Sequence, residues 1–488
     1  MRTNFRVNSG VRFQMLSDDQ LQGLFDGVLH TLEYTGLEVQ HEEARAILED
    51  VGAWVDGERV RIPSYLVKQA LNSAPRSFTI FARDDNPKHH IHIGPGRAHF
   101  GPGPTPPNFI DIETMERRPY TRADARIVAT VCDALPNIDF VESLGTVSDV
   151  HHELAATYEF SEMFPRTTKP IVAWSYGRDD AEDIHKMAIA EAGGQAAFER
   201  RPNYVHYCEP LSPLVSTHEA MDKLIFAAEH RVPVIFTPCP LAGGTAPVTA
   251  AGIITQAAAE SWMGLVVAQA VRPGVPFFMG GVLSVMDMSA MILSYGAPEL
   301  SLMMAGVTEL AHFAGLPLWQ TGGCTDSKTL DEQAALEGSL SVYFSALSGG
   351  DLCHDVGYTE SGLTGSIFQT VMMDEAIGYS RRITRGIEVN EDSLAVNVIH
   401  DVGPNGHYLR EQHTRRHFRS EFWYPNLCDR RNFEEWDMMG RATMRDRVIA
   451  RTQDILATHE APSLKEGTQA AITQVLEEAE ARVQQAED

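Results

Sequence analysis

The sequence predicts an α/β fold: a (β/α)8 TIM barrel with an N-terminal α+β appendage and a C-terminal helical cover. Three observations carry this. Short apolar, strand-like runs alternate with helical stretches from about residue 98 to residue 385. Such alternation implies parallel strands joined by right-handed crossovers. Eight units are countable, the number that closes a barrel. Several runs also end in chemically loaded loops, such as Trp174-Ser175-Tyr176-Gly177 and Thr321-Gly322-Gly323-Cys324. A barrel builds one pocket from many strand ends in this way. The alternative is a doubly wound open sheet. No GxGxxG follows an early strand, which weakens a dinucleotide-binding reading.

The chain divides into an appendage over 1–95, the barrel over 96–390 and an extension packing on the barrel over 391–488. In the appendage, Ser17 and Gln20 form a capping-box signature ahead of a helical run through Leu21, Leu24, Val28 and Leu32. A second helix over 42–50 ends at Gly52, and Pro63 starts a third over 64–72. Strands at 59–62 and 77–80 flank that third helix. The Gly- and Pro-rich stretch 94–107 must be loop or strand edge. Barrel strands follow at 98–101, 140–145, 171–176, 204–209, 234–238, 276–281, 317–321 and 351–354. Helices fill the gaps at 121–135, 152–163, 180–192, 216–230, 249–270, 297–314, 330–347 and 372–385. In the extension, 396–399 reads as a strand and 461–487 as an amphipathic helix.

Composition narrows function. The 488-residue chain carries a formal net charge of −26. Nucleic acid and anionic membranes need basic partners, so both are excluded. An acidic surface tolerates a cationic substrate. Six cysteines lie far apart with no CxxC pair, which fits free thiols in a reducing, cytoplasmic setting. Met1 to Gly10 contains no apolar signal core. The most apolar stretch, 250–275, is punctuated by Gln256, Glu260, Gln269 and Arg272 and reads as a buried helix.

The strand ends supply Phe100, Trp174, Tyr176, Tyr204, Tyr207, Trp319 and Tyr358. Aromatic faces against an acidic background suit a quaternary ammonium cation, which has no N–H to donate and is held by cation–π contact at about 0.5–2 kcal/mol per ring. Polar groups are few. Glu209 and Asp326 are the candidate catalytic carboxylates, facing the cation or accepting protons. His354 and Lys328 are candidates for an anionic end of the substrate, and His206 is a further binding candidate. Asp326 can equally cap the helix that follows it. The pairs Gly243-Gly244, Gly322-Gly323 and Gly349-Gly350 allow close backbone approach, to a large flat partner such as a corrin ring or simply within tight turns. His407, His413 and His417 have a spacing compatible with metal, but no metal site is assigned.

Three motif groups carry a family resemblance. Thr321-Gly322-Gly323-Cys324-Thr325-Asp326-Ser327-Lys328 is followed by Asp331 and Gln333. Gly349-Gly350-Asp351-Leu352 is followed by Gly357-Tyr358 and Ser361-Gly362-Leu363. The tail has Gly406-His407-Tyr408-Leu409, His413-Thr414, His417-Phe418 and Trp423 with Pro425. The chain thereby resembles the trimethylamine methyltransferase (MttB-type) family over most of its length. The resemblance implies a (β/α)8 barrel, a homo-oligomer, and methyl transfer from a methylated amine to the cobalt of a separate corrinoid protein. No tightly bound cofactor is implied, because the partner brings the cobalamin. Archaeal trimethylamine enzymes of the family carry pyrrolysine; this chain has only standard residues. The resemblance is therefore to the non-pyrrolysine branch, and implies a quaternary amine donor, glycine betaine first.

The chemistry agrees. A quaternary nitrogen leaves as a neutral amine, so position and desolvation matter more than acid catalysis. A tertiary amine, a sulfonium, or a non-catalytic betaine-binding scaffold are the alternatives.

Overall fold

The computed structural model describes residues 8–9, 13–84, 86–94 and 96–487; Pro95, within the Gly- and Pro-rich stretch, lies outside them. Seven strands form one parallel sheet: β1 (His99–Phe100), β2 (Ile171–Trp174), β3 (Tyr204–Cys208), β4 (Val234–Phe236), β5 (Phe277–Gly280), β6 (Leu318–Thr321) and β7 (Leu352–His354). Their order is β2-β3-β4-β5-β6-β7-β1, so each strand lies beside its sequence neighbour and β7 pairs with β1.

The eighth unit closes the ring between β1 and β2. Asp139 N–H donates to Phe100 O at 2.7 Å, and Val172 N–H donates to Val141 O at 2.9 Å. The segment keeps a single bridge, Val141 to Ile171. Leu144 has φ 61° and turns away to bond Gly103 O, which ends regular pairing early.

Eight helices surround the ring: α1 (Arg122–Ala134), α2 (Ala155–Met163), α3 (Arg178–Ala192), α4 (His218–Glu229), α5 (Ala250–Val271), α6 (Pro298–Ala314), α7 (Glu332–Ser348) and α8 (Ile367–Thr384). Their starts follow local chemistry. Thr121 and Asp124 form a capping box on α1, and the Asp331 carboxylate accepts the Ala334 N–H at the start of α7. Helix α8 starts earlier than the sequence predicts, because Ser366 caps it. By length and composition α5 alone among the described helices is apolar enough to cross a membrane. It is instead largely buried, packed between the sheet and the N-terminal appendage.

That appendage has the expected capping box at Ser17 on a helix Asp18–His30, then helices Glu42–Asp50 and Ser64–Ser73. Its strands Leu37–Val39, Trp54–Asp56 and Arg59–Arg61 join Val215–Ser216 from the barrel in a four-stranded sheet. In the C-terminal extension, the predicted strand at 396–399 is a helix, Val396–Val402, since no strand pairs with it among the described residues. Helix Met444–Thr458 packs on α1 and α8, and Thr468–Glu487 packs on α2 and α3, so the cover clasps the flank of the barrel. The second starts later than predicted, after Pro462 and Gly467.

Two small sheets rise from the strand ends. Leu241–Ala242 pairs with a hairpin, Ser284–Asp287 and Ile292–Ser294, inserted after β5. Asn108–Ile110, Arg117–Pro119, Tyr358–Thr359 and Thr364–Gly365 form the other. Both belong to the C-terminal side of the barrel, where pockets form in this architecture.

Candidate active site

Strand pleat decides which side chains reach the barrel interior, because successive residues point to opposite faces. Four inward rings meet there. Trp319 stacks on His354 with centroids 4.3 Å apart, and lies 5.5 Å from Phe140 and 6.2 Å from Tyr207. Trp319 is wholly buried, and its indole N–H has no partner.

One pleat nearer the mouth, two residues on from Phe140 and Tyr207, stand Glu142 and Glu209. Asp355 follows His354, in a left-handed conformation with φ 70°. Tyr207 donates its hydroxyl hydrogen to Glu209 at 3.0 Å. Tyr295, from the hairpin, and Tyr358 sit 6.0 Å apart, edge to face. Tyr358 lies beside Asp355, Glu142 and Glu209; burial first, then these carboxyl groups, holds its phenol well above the usual range. Tyr207 and Tyr295 stay protonated for the same reasons, burial first. Glu209 is exposed, and Cys239 and Tyr295 are half-buried although protein surrounds both. Side chains that are enclosed yet wetted line a concavity. Three rings and three carboxyl groups thus gather in one place, Glu142 and Asp355 wholly buried and Glu209 exposed at its rim.

Around this centre the predicted residues sort themselves. Trp319, Tyr207, Tyr358 and His354 come together. His354 is already engaged: Nδ1 lies 2.7 Å from Asp355 Oδ1, and Nε2 is 3.2 Å from Thr321 Oγ1. It is therefore not the free anion holder the sequence reading made it. Lys328 is exposed, and its ammonium donates to Asp326 O at 2.7 Å, out of the pocket. Trp174 forms an edge-to-face pair with the exposed Tyr176 at 4.8 Å and donates its indole N–H to Glu159 at 2.7 Å. Phe100 is sealed in the core, with no ring contact to the cluster among the described residues.

Two placements overturn expectations outright. His206 faces the helix layer: its Nε2 lies 3.0 Å from Ser175 Oγ, and Lys223 of α4 and His185 of α3 are beside it. Burial, then Lys223, pushes it down to about 3, so it is neutral packing rather than a substrate ligand. Tyr204 shares that outward face, against His185 and Phe198.

Asp326 is a clasp rather than a free catalytic carboxylate. It accepts the Tyr295 N–H at 2.7 Å and the hydroxyls of Ser294 and Ser361, and so ties the hairpin to the loop at 360–362. It does not cap α7, which Asp331 caps. Asp326→Ala should loosen the hairpin: limited proteolysis at 284–294 should speed up at least tenfold while the melting temperature moves little. Unchanged cleavage removes the clasp.

Sequence reasoning missed Glu142, Phe140 and Tyr295 as site residues. An acid two residues from Phe140 inside an apolar run was a legible signal. Tyr295 carried none, since it arrives on an insertion rather than a strand end.

The cysteines contribute no nucleophile among the described groups near the mouth. Burial first, then neighbouring carboxylates, holds Cys239 and Cys324 as thiols, and burial pushes Cys208 and Cys353 up to about 12. The glycine pairs are accounted for by packing and turns. A Cβ on Gly350 would fall 1.9 Å from Gln320 Oε1, one on Gly322 2.6 Å from Ser345 Oγ, and Gly349 is the left-handed cap of α7.

Two side-chain groups have metal-like geometry. In His41, His218 and Asp222, the His41 Nδ1 accepts the Ala44 N–H, so Nε2 carries the proton toward Asp222 and cannot ligate. Asp392, His413 and His417 also converge, but Arg416 already pairs with Asp392 at 3.2 Å, and His417 Nε2 lies 2.9 Å from its other oxygen. His407 is not part of either group.

Fold and site together define an α/β-barrel enzyme with an acidic, aromatic-walled mouth. Comparison with known proteins narrows the class. The family described as trimethylamine methyltransferase (MTTB) matches residues 2–483, and the chain belongs to that family of methyltransferases. It is 33% identical to the trimethylamine methyltransferase MttB of Desulfitobacterium hafniense over 95% of this chain and 93% of that one. It is 31% identical to the glycine betaine methyltransferase of Desulfitobacterium hafniense, over 93% and 94%. The crystal structure of the Methanosarcina barkeri monomethylamine methyltransferase MtmB superposes with a TM-score of 0.51 at 14% identity, covering 98% of this chain and 89% of that chain, and supports the fold.

Proposed function

We propose that the protein removes a methyl group from a quaternary ammonium compound, glycine betaine or a close analogue, and passes it to the cob(I)alamin of a separate corrinoid protein. The observation that carries the donor is the mouth itself: Tyr207, Tyr295 and Tyr358 arranged with Glu209 and Asp355. Aromatic faces and carboxylates both attract a cation that offers no hydrogen-bond donor. The chain's own residues bind and orient the donor and exclude water around it, so that one methyl faces the mouth. The cobalamin, when its carrier docks, supplies the nucleophile. With His354 paired to Asp355 and Lys328 turned away, a donor's carboxylate is left to backbone N–H groups or solvent. The trimethylammonium head is then what the site reads.

Exposed Met288, Met291 and Ile292 on the hairpin rim are the surface we assign to the corrinoid carrier. Exposed Ile387, Leu409, Phe422 and Met438 on the C-terminal segment are the surface we assign to self-association. All six cysteines are free, in keeping with a cytoplasmic setting.

The test is anaerobic incubation with cob(I)alamin, alone and with candidate corrinoid proteins. The donor panel is glycine betaine, carnitine, choline, trimethylamine and dimethylsulfoniopropionate. Methylcobalamin should form at least tenfold faster with a quaternary amine than with trimethylamine or the sulfonium. Equal or faster turnover of trimethylamine overturns the quaternary reading.

A further inference from the structure

Glu142 is the group in the site that the binding of a cation leaves least explained. It is wholly buried, and neither carboxyl oxygen has a hydrogen-bond partner among the described residues. Buried polar groups are normally satisfied, and an orphan marks a functional demand or a ligand. The neighbouring Asp355 is equally buried, and its oxygens also lack a hydrogen bond among the described residues, with His354 Nδ1 2.7 Å from Oδ1. Gly103 leaves room for it: a Cβ there would fall 2.2 Å from Asp355 Oδ1. Two buried carboxyls thus share one enclosed space.

Every titratable group facing Glu142 pushes the same way or is neutral. Asp355 from the end of β7 and Glu159 from α2 are acidic, and Tyr358 is a protonated phenol. Burial, then Asp355, then Glu159, raises the Glu142 carboxyl well above the usual range.

We propose that Glu142 stores the proton taken up by the amine as it loses its methyl group. This rests on the reading of the ligand as a methylated ammonium. In the step, the C–N bond breaks and its electron pair stays on nitrogen as a lone pair, while the methyl carbon leaves with the external nucleophile. The neutral amine is a strong base in an enclosed site and can take its methyl back. Transfer of the Glu142 proton to that lone pair makes an ammonium and a carboxylate, which attract each other. The lone pair is then blocked, and the reverse reaction with it. Release of the ammonium lets Glu142 regain a proton from water. Position supports the role, because Glu142 lies one pleat above the Phe140 and Trp319 rings, close to Asp355 and Tyr358.

The proposal makes donor and product differ in proton balance, and this is measurable without any corrinoid. Titration calorimetry in two buffers of different ionisation enthalpy counts protons exchanged on binding. At pH 7 dimethylglycine, the product of glycine betaine, or dimethylethanolamine where choline binds better, is an ammonium in water. Its binding should release close to one proton more than binding of the corresponding quaternary compound. Glu142→Gln, which keeps the shape of the neutral acid, should abolish the difference while still binding the quaternary ligand. Equal proton counts for the two ligands in the native protein, or an unchanged difference in Glu142→Gln, overturn the assignment and leave the donor reading standing. Failure of every amine to bind sinks the donor reading and this proposal with it. The native measurement decides even if the variant fails to fold.

Discussion

Replacing Trp319 with alanine should cost about 3–5 kcal/mol of stability, the range for emptying a large aromatic site in a sealed core. The ring is wholly buried and is the common neighbour of His354, Phe140 and Tyr207. Barrel interiors are close-packed layers contributed by alternate strands, so rigid strands cannot collapse onto the void. His354 would lose its stacking surface, and with it the orientation that presents Nδ1 to Asp355. Urea unfolding followed by fluorescence and by circular dichroism checks the first effect, and calorimetric titration with a quaternary amine checks the second. Binding should fall by at least tenfold. A loss of stability below about 1 kcal/mol would mean that the ring is not the keystone of the floor.

The second large effect concerns pH. Burial raises the Glu159 carboxyl to about 8, against the opposing pull of the Val147 N–H and the Trp174 indole N–H. In the unfolded chain this group ionises near the ordinary value of 4.5. Between these two values the native state holds a proton that the unfolded state has lost. Stability therefore falls as pH rises from about 4.5 to about 8. The full interval is worth on the order of 4 kcal/mol. Glu159→Gln carries no such proton, and its amide oxygen can still accept from Trp174. Unfolding free energies measured from pH 5 to pH 8 should decline less steeply in the variant, which should be the more stable protein at pH 8. Parallel curves for the two proteins would show that Glu159 ionises in the native state as it does in the unfolded one. Glu142, which Glu159 helps to raise, loses that contribution in the variant and so flattens the variant's curve further; acids that Glu159 does not touch act on both proteins alike.

Both predictions turn on side chains that the amino-acid sequence presents very differently. Trp319 stands in an apolar run and announces itself as a pocket or core residue. Glu159 sits in a helix whose period gives no hint that the side chain reaches across to Trp174. The same contrast runs through the site. His206 and Tyr207 are adjacent in sequence and equally attractive as ligands, yet a strand sends them to opposite faces. Asp326 and Lys328 occupy the most family-like motif of the chain, and their bonds hold loops together.

By itself the sequence determined the order of the parts. Eight strand-and-helix units, the capping box at Ser17, the buried character of α5 and the acidic, aromatic strand ends are all local patterns. Period, capping and composition act within a few residues and need no distant partner. Only the tertiary structure decided which of those residues face one another. Pairing of β7 with β1 aligns His354 and Asp355 with a strand 253 residues away (Cys353 with Phe100), closure at 139–141 brings Glu142 in, and an inserted hairpin delivers Tyr295. Pleat and ring closure are long-range geometry, and the chemistry of the mouth follows from them.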